Sequence, residues 1–359
     1  MYGSVECSQC STIFTGQTTY STGSNPNSLK AVDVNGDGKP DIIVANSGSN
    51  NVGVLLNIGN GTFSAQTTYS TGSSSASYSV VAVDINGDGK PDIIVANSGS
   101  NNVGVLLNIG NGSFSAQTTY STGSGSTPFS VVAVDVNGDG KPDIIVANAN
   151  SNNVDVLLNI GNGTFPAQKT YLTGTSPVEV AAADVNGDGK PDIIVANYNS
   201  NNVGVLLNIG NGTFAAQKTY LTGTRPSSVV AADVNGDGKP DIIAANSGSN
   251  NVGVLLYIGN GMFAAQKTYL TGTSTAEVAA ADVNGDGKPD IIVANSGSNN
   301  VGVLLNIGNG TFAAQATYST GSGSGPYYVV AVDVNDDNKP DIIVANYGSN
   351  NIGVLLNHC

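Results

Sequence analysis

Three observations predict an all-β fold, a closed seven-bladed β-propeller of four-stranded antiparallel blades. The first is a motif that recurs seven times, written Asp33-Val-Asn-Gly-Asp37-Gly-Lys39-Pro-Asp41-Ile-Ile-Val-Ala-Asn46 in its first copy, at spacings of 51, 51, 49, 49, 49 and 51 residues. The second is that each period divides into short apolar, β-branched runs punctuated by Asn-Gly and other glycine-rich turns, with no helical periodicity. Four such strands in a period of about 40 to 50 residues, repeated four to eight times, form propeller blades. The third is that the ends complement each other. The last repeat stops after its third strand at Asn357, and the missing fourth strand stands at the other terminus. There Phe14-Thr-Gly-Gln-Thr-Thr-Tyr20 matches Phe63-Ser-Ala-Gln-Thr-Thr-Tyr69. An N-terminal strand that completes the last blade leaves no open end. A solenoid would need capping repeats, and the sequence has none.

Within the second period the strands are expected at Ser79–Val83, Asp92–Val95, Val103–Leu107 and Phe114–Tyr120. The run Ile-Ile-Val-Ala is too short for a buried helix and reads as a strand buried on both faces. Tyr20, Tyr69, Tyr120 and their equivalents recur in every blade and are expected to pack. Residues 1–11 are expected to form a separate segment and 12–359 a single propeller domain.

The stretch between the first two strands carries oxygen at odd positions. First come Asp33, Asp84, Asp135, Asp184, Asp233, Asp282 and Asp333. Third come Asn35, Asn86, Asn137, Asn186, Asn235, Asn284 and Asn335, and fifth Asp37, Asp88, Asp139, Asp188, Asp237, Asp286 and Asp337. Seventh come Lys39, Lys90, Lys141, Lys190, Lys239, Lys288 and Lys339, each offering a backbone carbonyl. Ninth come Asp41, Asp92, Asp143, Asp192, Asp241, Asp290 and Asp341. Calcium takes six to eight oxygens from loops that alternate ligands in this way, so about seven calcium ions are expected, one per blade. In the seventh loop Asp336 and Asn338 replace glycines, and Asn tolerates the left-handed turn.

These repeats resemble the FG-GAP/VCBS repeats of the integrin α-subunit propeller and of many secreted propellers, some of them lectins. The resemblance spans residues 12–357 and rests on Asn-Gly-Asp-Gly-Lys-Pro-Asp followed by Ile-Ile-Val. Val-Ala-Asn stands where Gly-Ala-Pro would, which favours the VCBS-like branch. The resemblance implies calcium in the loops and a non-catalytic binding or adhesion role.

Composition agrees with a metal-loaded surface protein. Only 11% of the 359 residues are charged. Of 26 acidic residues, 21 are loop aspartates; the others are Glu6, Asp155, Glu179, Glu277 and Asp336. Seven divalent ions would add +14 to a formal charge of −14, giving zero. An acidic chain without a basic cluster argues against nucleic acid. No apolar run reaches transmembrane length. The opening Met1-Tyr-Gly-Ser-Val-Glu-Cys-Ser lacks the charged and apolar regions of a signal peptide and points to a processed or engineered form. The single histidine, His358, is penultimate, so no base stands beside a nucleophile and a non-enzyme is expected.

Cysteines Cys7, Cys10 and Cys359 all lie at the termini. Cys10 and Cys359 both align with Gly59, in the hairpin that the last blade lacks, so a Cys10–Cys359 disulfide would lock the ring in an oxidising compartment. Cys7–Cys359 is the alternative, and whichever thiol is left over offers a route to self-association. The sequons at Asn60, Asn111, Asn162, Asn211 and Asn309 fit an extracellular or cell-surface location, although Asn-Gly also suits the hairpin itself.

The linkers between blades are where the repeats differ. Tyr78, Phe129, Arg225, Tyr327 and Tyr328 are the candidate contacts for a glycan or extracellular protein ligand, with packing at the edge of the core as their alternative role. The competing overall reading is a structural unit that self-assembles through its blade surfaces or Cys7.

Overall fold

The computed structural model describes residues 13–359, and these form seven four-stranded antiparallel sheets arranged as a ring, without helix. Blade 1 runs Pro26–Val32, Asp41–Asn46, Asn51–Leu55 and Thr67–Ser70 from the axis outward. Blade 7 comprises Pro326–Val332, Asp341–Asn346 and Asn351–Leu355, and its outer strand is Thr18–Ser21. The pairing is Thr18 with Val354, Tyr20 with Ile352 and Ser21 with Asn351, as the matching termini imply. The expected segment 1–11 lies outside the described residues.

Burial of both sheet faces explains the strand sequence. In blade 1 Ile42 and Val44 pack toward blade 7, while Ile43 and Ala45 pack toward blade 2. Every residue of Asp41–Asn46 is therefore buried, and alternation between polar and apolar disappears. Seven such clusters, each shared by two adjacent blades, replace a single central core.

The recurrent tyrosines pack between blades, as expected. The Tyr20 ring meets Phe63 edge-on at 5.4 Å, and its hydroxyl donates to the Gly61 carbonyl at 3.3 Å. The seventh pair, Tyr318 with Phe14 at 5.3 Å, joins the outer strand of blade 6, Ala316–Ser319, to the N-terminal segment that completes blade 7. Gln17 strengthens that seam by donating to the Thr320 carbonyl at 2.6 Å while its Oε1 accepts from Asn346 Nδ2 at 3.2 Å.

Two local departures from the sequence reading have physical causes. The expected strand Phe114–Tyr120 is broken into Ser113–Phe114, which pairs in a small hairpin with Asn108–Gly110, and the outer strand Thr118–Ser121. In the equivalent hairpin of blade 1, Asn60 and Gly61 have φ of 53° and 68°, the two positive values of a tight two-residue turn. In blade 3 Asp155 stands where the other blades have glycine. Elsewhere the space above that glycine holds a glutamine side chain, such as Gln66 over Gly53. Asp155, 1% exposed, takes over the glutamine's task by accepting from Asn148 Nδ2 at 2.6 Å, and Thr170 Oγ1 donates to it at 2.6 Å. The displaced Gln168 joins the outer strand, which lengthens to Gln168–Leu172.

Candidate functional site

Each inner strand begins with a β-bulge. In blade 1 Pro26 opposes Asn46 and Ser28 opposes Ala45, so Asn27 is the extra residue. A bulge turns its extra side chain out of the ladder. Here it turns seven of them to the axis: Asn27, Tyr78, Phe129, Val178, Ser227, Ala276 and Tyr327 together line a cavity of about 390 Å³. The cavity opens on the face that carries the interblade linkers, opposite the aspartate-rich loops.

Four of the five residues singled out as ligand contacts meet there. Tyr78, Phe129, Tyr327 and Tyr328 line the cavity, and they belong to inner strands rather than to the linkers in which the sequence placed them. Tyr78 lies 4.2 Å from Phe129 by ring centroids, and its hydroxyl is 2.5 Å from that of Tyr327. Arg225 stands apart, over the Tyr198 ring at 5.8 Å beside a smaller depression.

The next residue of each inner strand follows a second rule. Ser28, Ser79, Ser130 and Ser228 each accept a hydrogen bond from a backbone amide of the following blade at 3.3–3.4 Å. Blades 4, 6 and 7 have Glu179, Glu277 and Tyr328 instead, and all three line the cavity. Lys30, one strand step deeper, donates to the Tyr328 hydroxyl at 2.9 Å and lies 5.2 Å from the centre of its ring. Burial pushes the Glu179 carboxyl up to about 7, against the pull of Lys30 and of a hydrogen bond from Ser130. Burial, then the neighbouring charge of Glu179, raises Glu277 well above the carboxylate range. Burial opposes the charge on Lys30, but Tyr328 and the two glutamates outweigh it and hold the ammonium above its ordinary value. The sequence reading missed this cluster. Its only trace there was glutamate in two blades at a position where four others have serine.

The loops on the opposite face are tightly self-bonded. Asp33 Oδ1 accepts from the amides of Asn35, Gly36 and Asp37 at 2.7–3.2 Å, and Oδ2 from Gly38 at 2.7 Å. Asn35 Oδ1 accepts from Asp37 and Asp37 Oδ1 from Lys39, both at 2.9 Å. The lysine at position 7 pairs with the aspartate at position 5 in five blades, at 2.9–3.5 Å. The ninth-position aspartate has a structural duty that sequence did not reveal. Asp41 is fully buried and fastens the loop to the end of the third strand, accepting from Val34 N at 3.0 Å and Asn57 N at 2.7 Å. Burial pushes its equivalents Asp192 and Asp290 up to about 6. In the seventh loop Asp336 and Asn338 both take φ of 63°, and Asn338 N still donates to Asp333 Oδ2 at 2.7 Å.

As a donor set, three carboxylates, an amide oxygen and a carbonyl per loop are hard oxygens of the kind calcium prefers. Asp33 Oδ1 already accepts from three amides, whereas Asp33 Oδ2 and both oxygens of Asp41 accept from one amide each and keep a second lone pair. Among the described residues no three carboxylate, thiol or imidazole groups gather at one point. Asp33 and Asp37 turn instead onto the loop's own amides and the lysine. The donor chemistry fits the ion, and its seat requires those side chains to swing inward.

Asn60, Asn111, Asn162, Asn211 and Asn309 all have φ of 52–53°, so the hairpin turn itself uses each sequon asparagine. Cys359 N donates to Asn357 Oδ1 at 3.0 Å; Cys7 and Cys10, and with them both pairings considered for Cys359, lie outside the described residues. No helix among the described residues is long and apolar enough to cross a membrane.

Comparison with known proteins places the fold among several functions. A streptogramin B lyase structure superposes with a TM-score of 0.70 at 15% identity, over 96% of this chain and 98% of that one. BBS1N in complex with ARL6DN gives 0.67 at 11% identity, over 96% and 97%. A lectin from Agrocybe aegerita, described as recognising non-reducing terminal N-acetylglucosamine, gives 0.59 at 24% identity, over 89% and 86%. No curated protein matches the chain. The lyases correct the expectation of a non-enzyme: the same ring carries an enzyme, so the architecture does not exclude catalysis. The rule that led to that expectation, a base beside a nucleophile, covers only covalent hydrolysis. The FG-GAP-like repeat model matches six overlapping spans, 33–95, 84–146, 135–195, 184–244, 233–293 and 282–344. Those spans cover most of the ring, and the chain belongs to the FG-GAP-like repeat family.

Proposed function

We propose that this chain is a calcium-loaded recognition propeller of the cell exterior that binds a saccharide, alone or on a glycoprotein, at the axial mouth of its linker face. The observation that carries the reading is the ring of bulged residues. One loop sequence is repeated almost unchanged around the ring, while the seven side chains aimed at the axis are of six types and enclose a cavity. Tyrosine and phenylalanine rings offer flat apolar faces to a sugar, and asparagine, serine and glutamate offer hydroxyl partners. The neighbouring fold of a lectin for N-acetylglucosamine supports this ligand class.

Titration calorimetry with N-acetylglucosamine tests it. Binding to the full chain is expected, with loss in Tyr327→Ala at an unchanged melting temperature. Equal binding by the variant would move the site elsewhere. Calcium titration of chelator-treated protein is expected to saturate near seven equivalents. A second reading, self-assembly, draws on exposed isoleucines at six hairpin tips, such as Ile58 at 67% and Ile109 at 68% exposure. Light scattering over a concentration series separates a monomer from an assembling unit.

A further inference from the structure

The axial mouth has more carboxylates than ammonium groups. Glu179 and Glu277 bring two carboxylates to its wall, and behind the wall Lys30 offers them one ammonium, already bonded to Tyr328. Asn27 is 3% exposed, lines the same cavity, and its Oδ1 has no hydrogen-bond partner. A buried acceptor left unpaired costs about 1–3 kcal/mol. Two carboxylates set against one ammonium leave a negative charge uncompensated, and burial makes that charge expensive unless a proton or a second cation joins it. Above the carboxylates stand the rings of Tyr78, Phe129 and Tyr327, whose faces attract cations. A cationic ligand would take the place of that proton on the glutamate pair, whereas a neutral hydroxyl would leave the proton where it is. A divalent metal ion would overshoot the single uncompensated charge and leave the cluster net positive.

We propose that the ligand of the axial mouth carries a primary ammonium group, as an amino sugar does, held by Glu179, Glu277 and Asn27 beneath the aromatic rings. The saccharide part of this statement rests on the function proposed above; the ammonium part rests on the charge balance of the mouth.

Calorimetry on the full chain with D-glucosamine, N-acetylglucosamine, glucose and n-butylammonium tests both parts. A charge-assisted bond in the mouth should make glucosamine bind at least about tenfold more tightly than N-acetylglucosamine. Glu277→Gln should erase that preference, read as the ratio of the two affinities in the variant, and Glu179→Gln should do the same if the first variant fails to fold. Tighter binding of N-acetylglucosamine than glucosamine overturns the ammonium and leaves the saccharide site standing. Binding of n-butylammonium with none of the sugars overturns the saccharide and leaves the ammonium. Binding of none of the four overturns both.

Discussion

The two faces of the ring obey opposite rules. On the loop face seven near-copies of one nine-residue sequence repeat the same bonds from the amides of their fifth, sixth and seventh residues, and even the glycine replacements Asp336 and Asn338 keep the left-handed turn. On the linker face the backbone is equally regular, with a bulge at the same place in every blade, but the bulged side chains have diverged. Regular backbone with variable side chains at one height around an axis is a way to build an asymmetric site on a symmetric frame. The lesson is that repetition and specificity occupy different levels here: the frame is set by bonds to the main chain, the site by what the bulge aims inward.

That contrast is easiest to break through the loops. If they bind calcium, chelation should lower the melting temperature more than any single substitution. Each site contributes about 2.7 kcal/mol at a hundredfold excess of free ion over Kd. Melting in calcium and in EGTA reads this directly, and identical curves would remove calcium from the loop face. Next in size is Asp143→Ala. It leaves the amides of Val136 and Asn159 without their acceptor, and a loss of roughly 2–4 kcal/mol is expected in denaturant unfolding. Tyr78→Ala on the other face should cost clearly less, and an equal loss would mean that the axial rings are framework too.

The glutamates sharpen the comparison through pH. Glu179 titrates near 7 in the folded chain, against an ordinary value of 4.5. A group raised by folding favours the native state below its unfolded value, and that advantage is lost as pH rises through the folded one. Stability should therefore decline between about pH 4.5 and 7, and Glu179→Gln should flatten the decline. A slope unchanged by the substitution would assign the effect to other acids. The smallest effect is expected from restoring glycine at both Asp336 and Asn338. Relief of two left-handed residues should stabilise the chain by roughly 1 kcal/mol, visible as a small rise in melting temperature.

Most of the frame was legible because it is repeated. Asn-Gly fixed the hairpins, Ile-Ile-Val-Ala announced strands buried on both faces, and the match of Phe14–Tyr20 to Phe63–Tyr69 located the closing strand. The aromatic lining of the axial cavity was legible as departures from the repeat. The charged centre was not, because Glu179, Glu277 and Lys30 lie in three different blades and nothing in linear order brings them together. The bulge was hidden as well, since an extra residue present in every copy leaves no mark in a comparison of copies. The structural duty of Asp41 was masked by its place in a pattern that reads as metal ligation alone.

The closing strand also bears on how the ring is assembled. Thr18–Ser21 has the same four residues as Thr67–Ser70 and Thr118–Ser121, and its partner Asn351–Leu355 differs from Asn51–Leu55 by one methylene-sized change, Ile352 for Val52. During folding the N-terminal strand meets the third strand of blade 1 long before it meets that of blade 7. Loop-closure entropy favours the near partner, and the pairing code scarcely distinguishes the two. Refolding should thus pass through a mis-threaded population that must release the near strand before the ring can shut. At high protein concentration the same degeneracy lets one molecule lend its first strand to another, giving exchanged dimers whose yield rises with the concentration at which denaturant is withdrawn.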